Sequence, residues 1–215
     1  MPKSLKKLRS NRAWIERHIN DPFVKKSRAE GYRARSVYKL TELDAREKLF
    51  APGMTVVDLG SAPGSWTQIV RERLLDKDGR VKGRIIAMDI LPMDPIEGAT
   101  FIQGDFREQA VADKLAEVLA GDKVDVVISD MAPNLSGVPM VDANASLLLN
   151  ELALDFALEH LKNEGVFVVK AFQGSGYSQF IEACKKHFKS VAQRKPEASR
   201  GSSAEMYVVA RHLKK

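Results

Sequence analysis

Disulfide chemistry is closed to this chain, which holds a single cysteine, Cys184; no intrachain bridge can form, and a reducing compartment is implied. Histidines number only four and are scattered rather than spaced as ligands, so no metal is expected. No apolar run reaches membrane-spanning length, and none follows the basic start as the core of a signal peptide would. No internal repeat is apparent. These absences argue against a disulfide scaffold, a membrane partner and a repeat array, and a soluble cytoplasmic protein is expected. The arginine-rich, acid-poor start also fits a mitochondrial transit peptide, which keeps that organelle open for a eukaryotic source.

What is present is an uneven charge. Residues 1–39 hold 12 Lys or Arg against 3 Asp or Glu, a surplus of nine in a chain whose net charge is +6. The remainder is therefore mildly acidic, and a basic arm on an acidic domain suits a polyanion-binding enzyme. At 215 residues with 44% hydrophobic content, one full core is expected, with residues 1–35 as a basic, partly disordered RNA-binding arm and 36–215 as the catalytic domain. Arg28, Arg33, Arg35 and Lys39 read as phosphate contacts. The aromatics Trp14, Phe23, Tyr32 and Tyr38 either stack on unpaired bases or anchor the arm, and anchoring is favoured for Trp14 and Tyr38. No assembly segment is apparent, so a monomer is expected.

Along the chain, residues 1–12 lack an apolar face and 13–19 suit a short helix. Asp21 and Pro22 suit the start of another, stopped by Gly31, and 36–49 a third. Beyond it, strand-like runs at 54–59, 84–90, 100–103, 124–130 and 166–172 alternate with helical stretches. The clearest helix is 144–161, with Leu147, Leu148, Leu152, Phe156 and Leu161 on one side, Asp142 as cap and Gly165 just past the end. Such alternation implies an α/β fold with parallel strands and right-handed crossovers. A helix at 179–188, a strand near Val191 and a last strand at 205–210 should end the sheet in a hairpin, with one strand antiparallel.

The run Val56–Trp66, VVDLGSAPGSW, reads as strand, tight turn and helix start. Gly60, Pro63 and Gly64 would shape a loop whose backbone approaches a ligand beside free helix amides. Ala62 stands where a dinucleotide loop needs its second glycine, and no lysine serves a triphosphate, so a cofactor without phosphates, such as S-adenosylmethionine, fits better. Acids end successive strands: Asp58, Asp89, Asp105 and Asp130. In a doubly wound sheet ligands sit at those ends. Asp89 suits the two ribose hydroxyls of an adenosine, Asp105 the adenine amino group, and Phe106 a face of the ring.

Lys170 interrupts VFVVKAF, a run otherwise fit for a buried strand, where an ammonium needs a partner or a function. Asp130, on a strand expected to be adjacent, is its natural partner. The segment SDMAPN lacks the paired prolines and aromatic of base-amine methylation, and Cys184 lies in a helix far from the strand ends, which disfavours methylation at pyrimidine carbon. Hydroxyl methylation remains.

The segments RARSVYKL, VVDLGSAPGSW, MDILPMDP, QGDF, SDMAPNLSG, FVVKAFQG and SRGSSAEMYVVA, in this order and spacing, resemble the RrmJ/FtsJ family of ribosomal RNA ribose methyltransferases. The resemblance implies a Rossmann-like methyltransferase fold with a seven-stranded, mostly parallel sheet, one antiparallel strand and helices on both faces. It also implies methyl transfer from S-adenosylmethionine to the ribose 2′-hydroxyl of a uridine in large-subunit (23S-type) rRNA, late in ribosome assembly, within the large subunit. The family's tetrad falls on Lys39, Asp130, Lys170 and Glu205, and its donor contacts on Gly64, Trp66, Asp89, Asp105 and Asp130. Ser65 departs from the glycine expected there.

A ribose hydroxyl is a poor nucleophile, so a base must take its proton as the methyl moves. Lys170 can serve only as a free amine, a form favoured by burial and a nearby positive Lys39 and opposed by Asp130. Asp130 is thus expected to orient Lys170 and favour the sulfonium, and Glu205 to position Lys39 or the ribose. The rivals are the same reaction on transfer RNA or another RNA, a mainly non-catalytic rRNA-binding assembly factor, and, more remotely, a dinucleotide dehydrogenase.

Overall fold

The computed structural model describes residues 16, 19–134, 136–201 and 203–214. Trp14, the lysine-rich start and most of the short helix expected at 13–19 lie outside the described residues. The arm's next part is ordered by packing. Asp21 accepts a hydrogen bond from the Phe23 amide and caps α1, Pro22–Ala29, with proline in its first turn. Val24 and Ser27 are its buried residues. After Gly31 turns the chain at φ +79, α2 follows at Val37–Glu47, burying Val37, Tyr38, Leu40 and Leu43 at helical spacing.

Seven strands form one sheet in the order β3-β2-β1-β4-β5-β7-β6. They are β1 Thr55–Leu59, β2 Arg84–Asp89, β3 Ala99–Gln103, β4 Val124–Ser129, β5 Leu161–Phe172, β6 Phe188–Arg194 and β7 Glu205–Leu213. The first five pair in parallel. β7 enters antiparallel between β5 and β6, the one reversed strand that the terminal hairpin implied. The remaining helices are α3 Ser65–Arg73, α4 Gln109–Leu119, α5 Pro139–His160 and α6 Tyr177–His187.

Alternation along the strands divides the core into two layers. One face, with Val57, Val127, Phe167 and Val208, packs against α4, α5 and α6. The other, with Val56, Val126, Val168 and Tyr207, packs against α2 and α3. Asp44 ties those last two helices together: one of its oxygens accepts the Leu49 amide at 3.0 Å and the other the Arg73 guanidinium at 2.7 Å. Cys184 is fully buried, and burial pushes its thiol up to about 12, which removes it as a nucleophile. Among the described residues, no helix is long and apolar enough to cross a membrane.

The helix expected at 144–161 is shifted. α5 starts at Pro139, and Asp142 lies inside its first turn, where its carboxylate accepts the Ser136 and Gly137 amides at 2.7 and 3.0 Å and braces the entering loop. Its buried face runs through Ser146, Asn150, Ala153, Leu154, Phe156 and Ala157, while Leu148 is 47% exposed. Leu161 already opens β5, so Gly165 falls inside a strand rather than after a helix. There is no room for a side chain at Gly165, whose Cβ would stand 2.8 Å from Leu161 Cδ2 and 2.9 Å from the Lys162 carbonyl. The β4–β5 pairing slips at this end, from Val124 with Leu161 to Val126 with Val166.

Asp58, near the end of β1, is wholly buried. Its Oδ2 accepts from Thr67 Oγ1 at 2.7 Å, and its Oδ1 has no partner. Burial, reinforced by Asp130 and Asp89 and opposed by the Thr67 hydrogen bond, pushes its carboxyl up to about 7 from 3.8. The folded state therefore holds a proton that the unfolded state releases, so this contribution to stability falls as pH rises from about 4 to about 7. Asp58→Asn has nearly the same shape and no titration. Its stability relative to wild type should rise between pH 5 and pH 8, by an amount on the order of a few kcal/mol, with the melting temperature rising in step; a pH-independent difference in thermal melts would contradict the assignment.

Candidate functional site

Three strands and one helix converge at the carboxyl ends of β4 and β5. The parallel β4–β5 register pairs Ser129 with Val169, which sets the next residues, Asp130 and Lys170, side by side. The antiparallel β5–β7 register pairs Lys170 with Tyr207 and Phe172 with Glu205. Period-two alternation turns Lys170, Tyr207 and Glu205 toward the face covered by α2 and α3. Lys39 arrives there from the first turn of α2.

The four tetrad residues form two ion pairs. Lys170 Nζ lies 3.0 Å from Asp130 Oδ1 and donates to the Asp130 carbonyl at 2.6 Å. Lys39 Nζ lies 2.6 Å from Glu205 Oε1, which also accepts from Ser199 Oγ at 2.7 Å. The Lys170 side chain is only 9% exposed. Two of the directions around its nitrogen are held by Asp130, leaving a single direction for a reacting group. The expectation that Lys39 presses its charge on Lys170 is weakened by this pairing, because Glu205 offsets the Lys39 charge at contact distance.

Tyr207 joins the two pairs and was not singled out from the sequence. Its hydroxyl donates to Asp130 Oδ1 at 2.9 Å, and Lys39 Nζ stands 5.9 Å from its ring centroid. Burial, with Asp130 and Glu205 adding to it, pushes the phenol well above its ordinary value, so it remains a donor. The signal was present in EMYVV: two residues after Glu205, a tyrosine must share its face.

The acids of the neighbouring strands line a second part of the site. Asp89 Oδ2 accepts the Ala62 amide and Oδ1 the Leu91 amide, each at 2.8 Å. Each oxygen keeps a lone pair for a further donor. Beside it Ile90 and Leu91 are 56% and 60% exposed, an apolar surface suited to a flat heterocycle. Arg107 grips Asp105 and holds its carboxyl below the usual range. Phe106 is 8% exposed, its ring set edge-on to Phe156 at 5.9 Å, so it is directed into the core rather than presented as a stacking face.

The loop glycines are needed for packing. Gly60, at φ +79, lies against Met131, whose backbone nitrogen would be 2.8 Å from an added Cβ. Gly64 takes φ +107 at the N-cap of α3. Trp66 is buried, its Nε1 donating to the Ser36 carbonyl at 2.9 Å and its ring 5.7 Å from Tyr207; its indole braces α2 against the sheet. Ser65, at the departure from the family pattern, shares a hydrogen bond with Ser36 at 2.8 Å. Pro63 is exposed, with its carbonyl engaged by Arg33 at 3.0 Å.

The arm arginines separate into two kinds. Arg28 is exposed on α1, and no intramolecular partner is found for its guanidinium among the described residues. Arg35 instead pairs with Asp21 at 2.7 Å and donates to the Ala198 carbonyl, holding α1 to the β6–β7 loop. The Arg33 guanidinium donates to backbone carbonyls. In this structure both terminal nitrogens of Arg33 and of Arg35 are engaged within the chain, so the phosphate role expected for them would compete with these contacts. Tyr38 anchors the arm: its hydroxyl donates to Glu30 at 2.6 Å, and its ring lies 5.4 Å from Phe23 and 6.4 Å from Tyr32.

Comparison with known proteins fits this geometry. The chain is 54% identical to "Ribosomal RNA large subunit methyltransferase E" of Cupriavidus necator, over 95% of this chain and 96% of that one. It is likewise 54% identical to the protein of the same name from Burkholderia thailandensis, over 97% and 98%. A solved structure described as a ribosomal RNA methyltransferase from Plasmodium falciparum superimposes with a TM-score of 0.73 at 31% identity, covering 85% of this chain and 98% of that one. Human methyltransferase-like protein 13, solved in complex with SAH, shares the fold at TM-score 0.55 and 16% identity, over 82% of this chain and 78% of that one. Residues 32–213 match the family described as FtsJ-like methyltransferase, and the chain belongs to that family.

Proposed function

We propose that this enzyme methylates the ribose 2′-hydroxyl of a uridine in large-subunit ribosomal RNA, with S-adenosylmethionine as donor, in the cytoplasm and late in assembly of the subunit. The observation that carries the reading is Lys170: a nearly buried amine, held by Asp130 at 3.0 Å and 2.6 Å, with one direction left for a hydroxyl. The near full-length likeness to two bacterial large-subunit rRNA methyltransferases supports the RNA.

The residues present fit the donor. Asp89 offers acceptors for vicinal hydroxyls beside the apolar Ile90 and Leu91, and the buried Asp58 Oδ1 lacks a partner. Ser65, Trp66 and Thr67 open α3, where the first amides of a helix have no partner within it. When bound, S-adenosylmethionine supplies an electrophilic methyl group on a sulfonium. Lys170 Nζ, as the free amine, accepts the proton of the ribose hydroxyl as that oxygen becomes nucleophilic. Asp130 sets the direction of the nitrogen, and Tyr207 holds Asp130. Lys39, braced by Glu205, which Ser199 holds in turn, bounds the ribose side and offers a positive charge to its oxygens. Alignment contributes much of the acceleration in such a displacement. Arg28 and the basic start contact phosphates, which supply affinity without regard to sequence.

Purified protein, labelled methyl donor and unmethylated large subunits should yield an alkali-resistant dinucleotide, because a 2′-O-methyl group blocks the internal attack by which alkali cleaves RNA. Label recovered on a base would reject the reaction, and transfer to transfer RNA in preference to subunits would reject the substrate. Lys170→Ala should lower kcat roughly 100- to 10,000-fold, as for loss of a general base, while donor affinity measured by calorimetry stays within about threefold. Arg28→Ala should weaken RNA binding and reduce the slope of log affinity against log salt by roughly 0.7 to 0.9, one phosphate contact; an unchanged slope in a filter-binding titration would remove Arg28 from the interface.

A further inference from the structure

We propose that Arg33 is a positioning residue of the donor site: from the segment that leads out of the basic arm, its guanidinium holds together the two loops that flank Asp89. This rests on the reading of that site as the donor site.

Arg33 belongs to neither α1 nor α2, yet its backbone is fixed. Its amide donates to Gln68 Oε1 at 3.0 Å, and Gln68 Nε2 donates to the Gly31 carbonyl at 3.2 Å, so one α3 side chain clasps the segment at both ends. From that base Nη1 donates to the Pro63 carbonyl at 3.0 Å and the Asp94 carbonyl at 2.7 Å, and Nη2 to the Pro95 carbonyl at 3.0 Å. Pro63 belongs to the loop between β1 and α3, and Asp94 and Pro95 to the loop between β2 and β3. The same two loops meet at Asp89, which accepts the Ala62 amide and ends β2.

The chemistry of the second loop explains why an arginine is needed. In LPMDPIEG, Pro92 and Pro95 carry no amide hydrogen, so this stretch has few donors with which to hold itself in a ladder. Its carbonyls are its main handles. A planar fork of donors can serve three carbonyls on two loops at once, which the compact ammonium of a lysine cannot reproduce. The contact is close as well as polar: a Cβ added at Gly64 would stand 2.7 Å from Arg33 Nη1, so the guanidinium rests on the backbone of the donor loop. Loss of the fork removes the tie between Pro63 and the Asp94–Pro95 stretch, leaving the β2–β3 loop held by Arg71 at Glu97 and by Asp89 at Leu91, so the two loops lose their shared clamp on the donor side.

The test is Arg33→Ala and Arg33→Lys in the full chain, with three readouts: calorimetric Kd for S-adenosylmethionine, kcat at saturating donor, and KM for large subunits. Arg33→Ala should raise the donor Kd about 10-fold or more with kcat changed less than about threefold, and Arg33→Lys should recover only part of the loss. A general structural defect would instead lower kcat and melting temperature together, without a selective change in donor affinity. If Arg33→Ala does not fold, the lysine variant carries the test, with a donor Kd above that of wild type as the expected result. A donor Kd unchanged in the folded variants overturns the proposal, and a rise confined to the KM for subunits assigns Arg33 to phosphate instead. Failure of the wild-type protein to bind the donor would overturn the function proposed above, a result distinguishable from failure of this inference.

Discussion

The antiparallel register between β5 and β7 is the constraint on which the site depends. A slip of one residue would turn Tyr207 and Glu205 to the opposite face of the sheet. The pairing of Lys170 with Tyr207 and Phe172 with Glu205 keeps them on the face where α2 delivers Lys39. The pair of strands is set deep: Phe167, Val168, Val169, Val208 and Ala210 are all inaccessible to solvent. Apolar alternation thereby fixes the register, and the register aligns four charged groups that lie far apart in the chain.

Holding those charges has a price that the arrangement offsets locally. A buried ion costs several kcal/mol unless paired and hydrogen-bonded. Here each lysine meets a carboxylate at 3.0 Å or less, and each carboxylate receives a neutral donor besides, Tyr207 for Asp130 and Ser199 for Glu205. The neutral donors share the burden without adding charge. Asp58, by contrast, keeps one oxygen unpartnered, and burial raises its carboxyl to about 7, where it sheds its charge rather than pairing it.

The arm is less an appendage than the boundary drawn at residue 35 implied. Its described part is woven into the domain: Arg35 reaches the β6–β7 loop, Tyr38 closes an aromatic group with Phe23 and Tyr32, and Ser36 accepts from Trp66. The segment leading from the basic start is therefore packed into the domain, against the loops that carry Pro63, Asp94 and Ala198.

Strands, their order of alternation and the acids at their ends were legible because period-two patterning and strand-end position are local properties. Lys170 stood out for the same reason, an ammonium inside an apolar run. The resemblance supplied Lys39 and Glu205, which no local rule singles out. What only the tertiary structure decided are relations across long separations: Arg33 with Asp94 over 61 residues, Arg35 with Ala198 over 163, Tyr207 with Asp130 over 77. An arginine beside a basic run looks the same whether its partner is an RNA phosphate or a backbone carbonyl brought from another strand. Local sequence determined which residues were able to do chemistry; the packing of the sheet decided which of them face one another.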